Sequence, residues 1–467
     1  MNYSHYIQIL PEVFYIISSL VLLLLGIVLN RRFVNLLVLG CTFITLIILI
    51  NTINNNQVFL FNSLLILNDY TRAAQWLILA TGVAILLLFN LSKYDYKYEF
   101  SILISFALFG MITLVSANSL ISFYLAFELM SISLYILACF NRDSLYSCEA
   151  GVKYFTLGAL ASCIMLYGMS LLYGYTEQTN FSELSLFLQN KQVTYGVIFG
   201  LVFIFIGLCF KLAVVPFHMW APDVYQGAPT IVTAFFSTAP KVALITFLVR
   251  FMNEVLINTS IMKYVQPIFL YVSALSVLIS ALGALRQYNL KRLFAYSAIG
   301  HVGYMFAALS TFQEEGMNSA LIYLLIYIMT NIGIFACLIQ MDDDSCDISN
   351  LSGIGTKQPF LACNLSILLL SMSGIPPFAG FIAKFFVFTS LINSGSIMLS
   401  LILVVASVIS CYYYLNIVKV MYFDKGSNST TIGCNKGLLF IIVATSLANI
   451  IIFFIGIKSL YSSHIPL

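Results

Sequence analysis

Seven side chains that can gain or lose a proton stand in stretches that are otherwise apolar. They are Glu128 in S-F-Y-L-A-F-E-L-M-S-I-S, Lys153 in E-A-G-V-K-Y-F-T-L-G, Lys211 and His218 in F-K-L-A-V-V-P-F-H-M-W, Lys241 in A-P-K-V-A, His301 in S-A-I-G-H-V-G-Y-M and Lys384 in A-G-F-I-A-K-F-F-V-F. A charge at bilayer depth costs ~2.5–3.5 kcal/mol on insertion scales, so each position needs a reason to exist. The chemistry these groups share is proton exchange. Burial loosens a lysine's hold on its proton and a nearby carboxylate tightens it. A change of partner that alters proton affinity a hundredfold is worth roughly 3 kcal/mol. That rivals the ~2.3 kcal/mol per 100 mV of moving a proton charge across a membrane potential. An imidazole titrates near neutral pH and can hand protons on.

Plainer roles compete at each position. Glu128 and Lys153 could form a structural ion pair between consecutive antiparallel helices, and Glu149, four residues before Lys153, is a competing partner. Snorkelling would account for Lys211 near the end of its apolar run, but poorly for Lys241 and Lys384, which lie deep. His218 could simply be packed, and His301 could make an interhelical hydrogen bond. His5 and His464 are terminal and receive no role.

The elements that must position these groups are membrane helices. The chain is 61% hydrophobic and 8% charged, against ~45–50% apolar and ~25% charged in soluble domains. At ~20 residues per span, about fourteen apolar runs can be counted: 7–29, 33–50, 70–91, 99–117, 119–140, 147–173, 193–213, 228–252, 264–285, 293–311, 317–340, 360–392, 397–422 and 437–457. None shows the ten-residue alternation of a barrel strand. The expected fold class is therefore all-α, a polytopic membrane protein in a single membrane domain, 1–467. Loops after odd-numbered spans carry twelve Lys and Arg, and the opposite side carries five (Arg72, Lys191, Arg250, Lys263 and Lys458). Both termini are thus expected to face away from the cytoplasm or matrix. The remaining four basic residues, Lys153, Lys211, Lys241 and Lys384, fall inside spans.

Two spans are interrupted alike: 193–227 breaks at V-V-P-F-H after Lys211, and 360–392 breaks at S-G-I-P-P-F-A-G-F before Lys384. Proline within a span leaves carbonyls open, which membrane depth tolerates only under protein or beside water. Paired broken helices, here spans seven and twelve, point to inverted repeats around an ion pathway. The expected division is an N-terminal three-helix segment 1–98, repeats 99–252 and 264–422, and a C-terminal helix 437–467. The ten cysteines include no C-x-x-C and no Cys/His cluster of metal-ligand spacing. Neither a redox centre nor a disulfide framework is expected. The acidic cluster of Asp342, Asp343, Asp344 and Asp347 lacks metal-loop spacing and reads as a solvated loop. The N-terminus has no basic n-region, so the first helix is expected to be retained.

Five segments, F-E-L-M-S-I-S, F-K-L-A-V-V-P-F-H-M-W-A-P-D-V-Y-Q-G-A-P-T, A-P-K-V-A, K-R-L-F-A-Y-S-A-I-G-H-V-G-Y-M and G-I-P-P-F-A-G-F-I-A-K-F, resemble the antiporter-like membrane subunits of respiratory complex I, the proton-pumping NADH:quinone oxidoreductase. The resemblance extends over nearly the whole chain. It implies fourteen helices, two inverted five-helix repeats, broken helices seven and twelve, and a hydrated axis of ionisable residues. It further implies that Glu128 pairs with Lys153, that Lys211, Lys241 and Lys384 continue the proton relay, and that a lysine at 384 marks the branch that does not carry glutamate there. Implied partners are other membrane-arm subunits, including neighbouring antiporter-like ones, and lipid, with no nucleic acid. No cofactor is expected in this chain; FMN, iron–sulfur clusters and quinone belong to other subunits. The implied location is the mitochondrial inner membrane, with a bacterial plasma membrane as the alternative location and a stand-alone multisubunit cation/proton antiporter as the alternative function.

Overall fold

The computed structural model describes residues 3–52, 57–94, 96–190, 194–257, 259, 261–341, 346–424 and 435–463, with side chains between residues 8 and 456 except Asn190. Asp342, Asp343, Asp344, Lys191, Lys425, Cys434 and His464, and the side chains of His5 and Lys458, lie outside the described residues. The chain forms two compact units, Met1–Leu212 with Gly227–Val265, and Ala213–Gln226 with Gln266–Leu467.

The first unit contains α1 (Tyr3–Leu25), α2 (Arg31–Asn51), a short antiparallel hairpin of β1 (Val58–Leu60) and β2 (Leu65–Leu67), α3 (Asp69–Leu91), α4 (Glu99–Ser116), α5 (Leu120–Ala138), α6 (Leu145–Thr176), α7 (Phe181–Asn190) and α8 (Tyr195–Lys211). Side chains close the orphan N–H groups of its helix starts: Asn68 and Thr71 form a capping box at α3, as do Ser119 and Ser122 at α5. Helices α6 and α8 cross backbone to backbone, because a Cβ on Gly168 would meet the Gly200 carbonyl at 2.6 Å. That contact seats the end of α8, and with it Lys211. Span eight is α10 (Thr230–Ser237) and α11 (Ala239–Phe251), ending in a π-turn over Met252–Leu256. Every residue from Thr230 to Met252 is buried.

The second unit contains α9 (Trp220–Gly227, whose last residue counts with the first unit), most of α12 (Met262–Ala284), α13 (Leu290–Leu309), α14 (Glu314–Met341), the one-turn α15 (Ile354–Lys357), α16 (Pro359–Ser373), α17 (Ala379–Asn393), α18 (Ile397–Phe423) and α19 (Lys436–Ser463). Eleven helices among the described residues are long and apolar enough to cross a membrane. Adding α8, α13 and the broken α16–α17 accounts for all fourteen expected spans.

The breaks fall where the prolines stand. Span seven stops at Lys211, passes Ala213 in the left-handed region (φ 58°) and a cis Val215–Pro216 bond, and resumes at Trp220. Span twelve stops at Ser373, turns at Gly374 (φ 82°) and a cis Pro376–Pro377 bond, and resumes at Ala379. A third break was not anticipated. Thr238 (φ −119°, ψ −88°) separates α10 from α11, because Pro240 has no N–H and its ring crowds the carbonyl four residues back. Two loops also contain elements the apolar pattern missed, the hairpin at 58–67 and helix α7.

Three basic residues assigned to loops are corrected by the structure: Lys291 is 6% exposed in the first turn of α13, and Arg72 and Arg250 are each only 4% exposed. Arg72 pairs with Glu12 at 2.8 Å, and Arg250 Nε donates to Glu254 at 3.1 Å. A guanidinium near a helix end can turn inward when a carboxylate and carbonyls await it there, and span counting from hydropathy does not see that.

Candidate functional site

In the first unit, α5, α6 and α8 bring Lys211 into an aromatic cage. Its ammonium donates to Tyr135 Oη at 2.9 Å. It also lies 4.2 Å from the Tyr135 ring centroid, 4.8 Å from that of Tyr154 and 5.7 Å from that of Phe127. Aromatic faces attract a cation, and so does the negative, C-terminal end of the α8 dipole, in whose last turn Lys211 stands. The Glu128 carboxylate stands within electrostatic range of this lysine, and its buried Oε1 has no hydrogen-bond partner among the described residues. Lys211 is 6% exposed, so it does not snorkel.

Lys153 is placed differently from the pair the resemblance implied. It meets Glu149 at 2.6 Å, one turn earlier on α6, with the two side chains 40% and 58% exposed. The competing i, i+4 partner takes the lysine because it shares the helix and costs no desolvation. Lys241 sits two residues into α11, 4% exposed, within a span that is buried throughout.

The second unit holds Lys384, His301 and His218. Lys384 donates to the main-chain carbonyl of Ser373 at 2.7 Å, at the C-terminal end of α16, and lies 5.3 Å from the Tyr304 ring centroid. A cation at a helix C-terminus is electrostatically favoured. Lys211 and Lys384 therefore occupy matching places, each at the carbonyl end of a broken span's first half. His301 Nδ1 is hydrogen-bonded with Tyr323 Oη at 2.7 Å, and Nε2 with Tyr414 Oη at 3.1 Å; Tyr414 in turn meets Ser297 Oγ. Since a neutral imidazole has one donor and one acceptor nitrogen, one tyrosine donates to it and the other accepts.

Two cavities of about 10 Å³ adjoin His301. One reaches Ser371 and Gly380 beside the break in span twelve, and the other reaches Ser297, Tyr304 and Lys384. Each has room for about one water. His218, half-buried in the irregular stretch before α9, has a buried Nδ1 without a partner among the described residues.

The tyrosines are the component that sequence reading missed. Tyr135 follows Glu128 by seven residues and Tyr304 follows His301 by three, so shared helix faces could have revealed them. Tyr323 and Tyr414 come from distant helices, and no local spacing announces them.

Comparison with known proteins fits this arrangement. Residues 117–410 match the family model described as NADH:quinone oxidoreductase/Mrp antiporter, TM. A protein named NADH-quinone oxidoreductase subunit N from Wolbachia sp. subsp. Brugia malayi is 69% identical over 458 residues, covering 98% of both chains. A chain of respiratory complex I from Thermus thermophilus with bound aureothin superposes with a TM-score of 0.83 at 30% identity, covering 95% of this chain and 96% of that one. A chain of the Mrp complex from Dietzia shares the fold, with a TM-score of 0.85 at 20% identity.

Proposed function

This chain belongs to the NADH:quinone oxidoreductase/Mrp antiporter membrane-subunit family, and from that premise we propose that its buried lysines and histidines carry protons across the membrane in steps driven by quinone reduction elsewhere. It is a proton-translocating membrane-arm subunit of complex I and works among other membrane-arm subunits.

One observation carries the relay reading. Lys211 and Lys384 are held by a phenol and a main-chain carbonyl, and His301 by two phenols. A neutral partner lets each group exist with or without its proton and leaves no buried counter-charge behind. In the second unit the proton passes between Lys384 and His301 through the cavity they share, and along the Tyr414–Ser297 hydrogen bonds. In the first unit Glu128 biases Lys211. Lys153, held by Glu149 in this state, is the movable charge: swinging toward the unpartnered Glu128 oxygen would change the field on Lys211. The proposed order runs from Glu128 and Lys153 through Lys211 and Lys241, then His218 and His301, to Lys384, with 99–252 and 264–422 as its two repeats.

Electrons are proposed to remain in other subunits, which would hold the FMN, iron–sulfur clusters and quinone; this sequence contains no nucleotide, flavin or iron–sulfur motif. The proposed location is a bacterial plasma membrane rather than the mitochondrial one, because the relative sharing 69% identity over 98% of both chains is bacterial. Lys241→Ala in the assembled complex tests the relay. The expected result is a lowered ratio of protons moved to electrons transferred; an unchanged ratio in fully assembled enzyme would falsify it.

A further inference from the structure

Helix α1 buries a polar face. Gln8, Glu12, Tyr15 and Ser19 recur at intervals of four, three and four residues, so they line one side of the helix. They are 8%, 7%, 1% and 2% exposed, respectively. Three of them end in a buried atom with no hydrogen-bond partner among the described residues: Gln8 Oε1, Glu12 Oε2 and Tyr15 Oη. The other Glu12 oxygen is fully engaged, since Arg72 Nη1 donates to Oε1 at 2.8 Å and Gln75 Nε2 at 2.9 Å. Arg72 also donates to Gln75 Oε1 at 2.9 Å and to the main-chain carbonyl of Gln8. Among the described residues, the ionisable groups that face the stripe are Arg72 from α3 and Cys41 from α2, which lies beside Tyr15. From α4, Ser116 Oγ and the Ile112 carbonyl each lie 3.5 Å from Gln75 Nε2.

In a bilayer, orphaned polar atoms are costly unless water reaches them. Residues four and three apart are separated by ~6 and ~4.5 Å along a helix axis. One water making two hydrogen bonds of ~2.8 Å spans such gaps. The stripe therefore has the spacing of a short file of waters, and a carboxylate with one oxygen fixed by arginine turns its other oxygen toward that file.

We propose that Gln8, Glu12 and Tyr15 line a water-holding site in which Glu12 takes up and releases a proton at Oε2, apart from the lysine and histidine relay. The proton comes from water and returns to water, so no other reactant is required. Gln8 is nearest the start of α1. The proposal rests on the chain's being a proton-carrying membrane subunit and is independent of the order in which the lysines act. Failure of Lys241→Ala to change coupling would leave it standing.

Acid-minus-alkaline infrared difference spectra of the assembled complex in membranes read protonated carboxyl groups directly. The expected result is a carboxyl band, shifted by H2O/D2O exchange, that disappears in Glu12→Gln. Tyr15→Phe and Gln8→Leu keep the Arg72 pair, and in both the band should persist at a shifted frequency and midpoint pH. Spectra identical in wild type and Glu12→Gln would mean that Glu12 stays ionised as the fixed counter-ion of Arg72, which overturns the proposal. Should Glu12→Gln fail to assemble, Tyr15→Phe and Gln8→Leu decide: no shift in either overturns it as well.

Discussion

A buried ammonium is tolerable when something polarisable or dipolar faces it, and useful when that something stays neutral after the proton leaves. Tyr135 serves Lys211 in both ways, through its hydroxyl at 2.9 Å and its ring at 4.2 Å. Tyr135→Phe separates the two, keeping the ring and deleting the acceptor. Hydrogen bonds to charged groups contribute ~1.5–3 kcal/mol, or about a ten- to hundredfold effect on a rate. The complex should assemble at normal levels, NADH-driven proton pumping should slow at least ~10-fold, and electron transfer from NADH to an artificial acceptor should not change. Pumping at the wild-type rate would mean that the aromatic cage alone suffices. Assembly should be equally indifferent to the Glu149–Lys153 pair. An exposed i, i+4 bridge contributes at most ~1 kcal/mol, so Glu149→Gln should leave the yield of assembled complex intact, as measured on native gels.

Helices acquire function here where they stop. The proline stretches V-V-P-F-H and G-I-P-P-F announced two breaks, and each lies beside a buried lysine, Lys211 in the last turn of α8 and Lys384 against the Ser373 carbonyl. The break at Thr238 was legible only in part, because Pro240 directly before Lys241 reads equally well as a helix start. Tertiary partners were not legible at all. Lys384 reaches back eleven residues to Ser373 only because Gly374 leaves room, as a Cβ there would lie 2.7 Å from Lys384 Cδ. Gly374→Ala combines that clash with a φ of 82°, where a side chain costs ~1–2 kcal/mol. It should therefore lower pumping more than it lowers assembly, which a parallel measurement of proton uptake and native-gel abundance resolves. Arg250 shows the purely structural counterpart. It ties the π-turn after α11 to the end of α4 by donating to the Val115 and Ala117 carbonyls, the latter at 2.6 Å. Arg250→Met strips two buried carbonyls of their donor, at ~1–3 kcal/mol each. Assembly should fall, and with it every activity in proportion.

For the molecule as a whole, the number of crossings decides where its ends lie. Eleven helices meet a length and hydropathy criterion on their own, and an odd number would place the termini on opposite sides. The other three spans fall short for physical reasons connected with the relay: α8 and the α16–α17 pair are cut by prolines, and α13 carries Lys291, Arg292 and His301 among its twenty residues. Counting them gives fourteen, an even number, and the bias of basic residues, eleven to three once the buried Lys291, Arg72 and Arg250 are set aside, then predicts that both termini face outward. The sequence could support this count because broken helices keep an apolar run on either side of the break, even though neither half passes as a span by itself. A fluorescent protein that matures only in the cytoplasm, fused after Leu467, should remain dark in cells whose complex assembles. The same reporter fused after span thirteen, at Asp424, should fluoresce. A bright full-length fusion beside a dark Asp424 fusion would mean the inverse orientation, and two bright fusions would mean that α19 does not cross; either result overturns the outward placement of both ends.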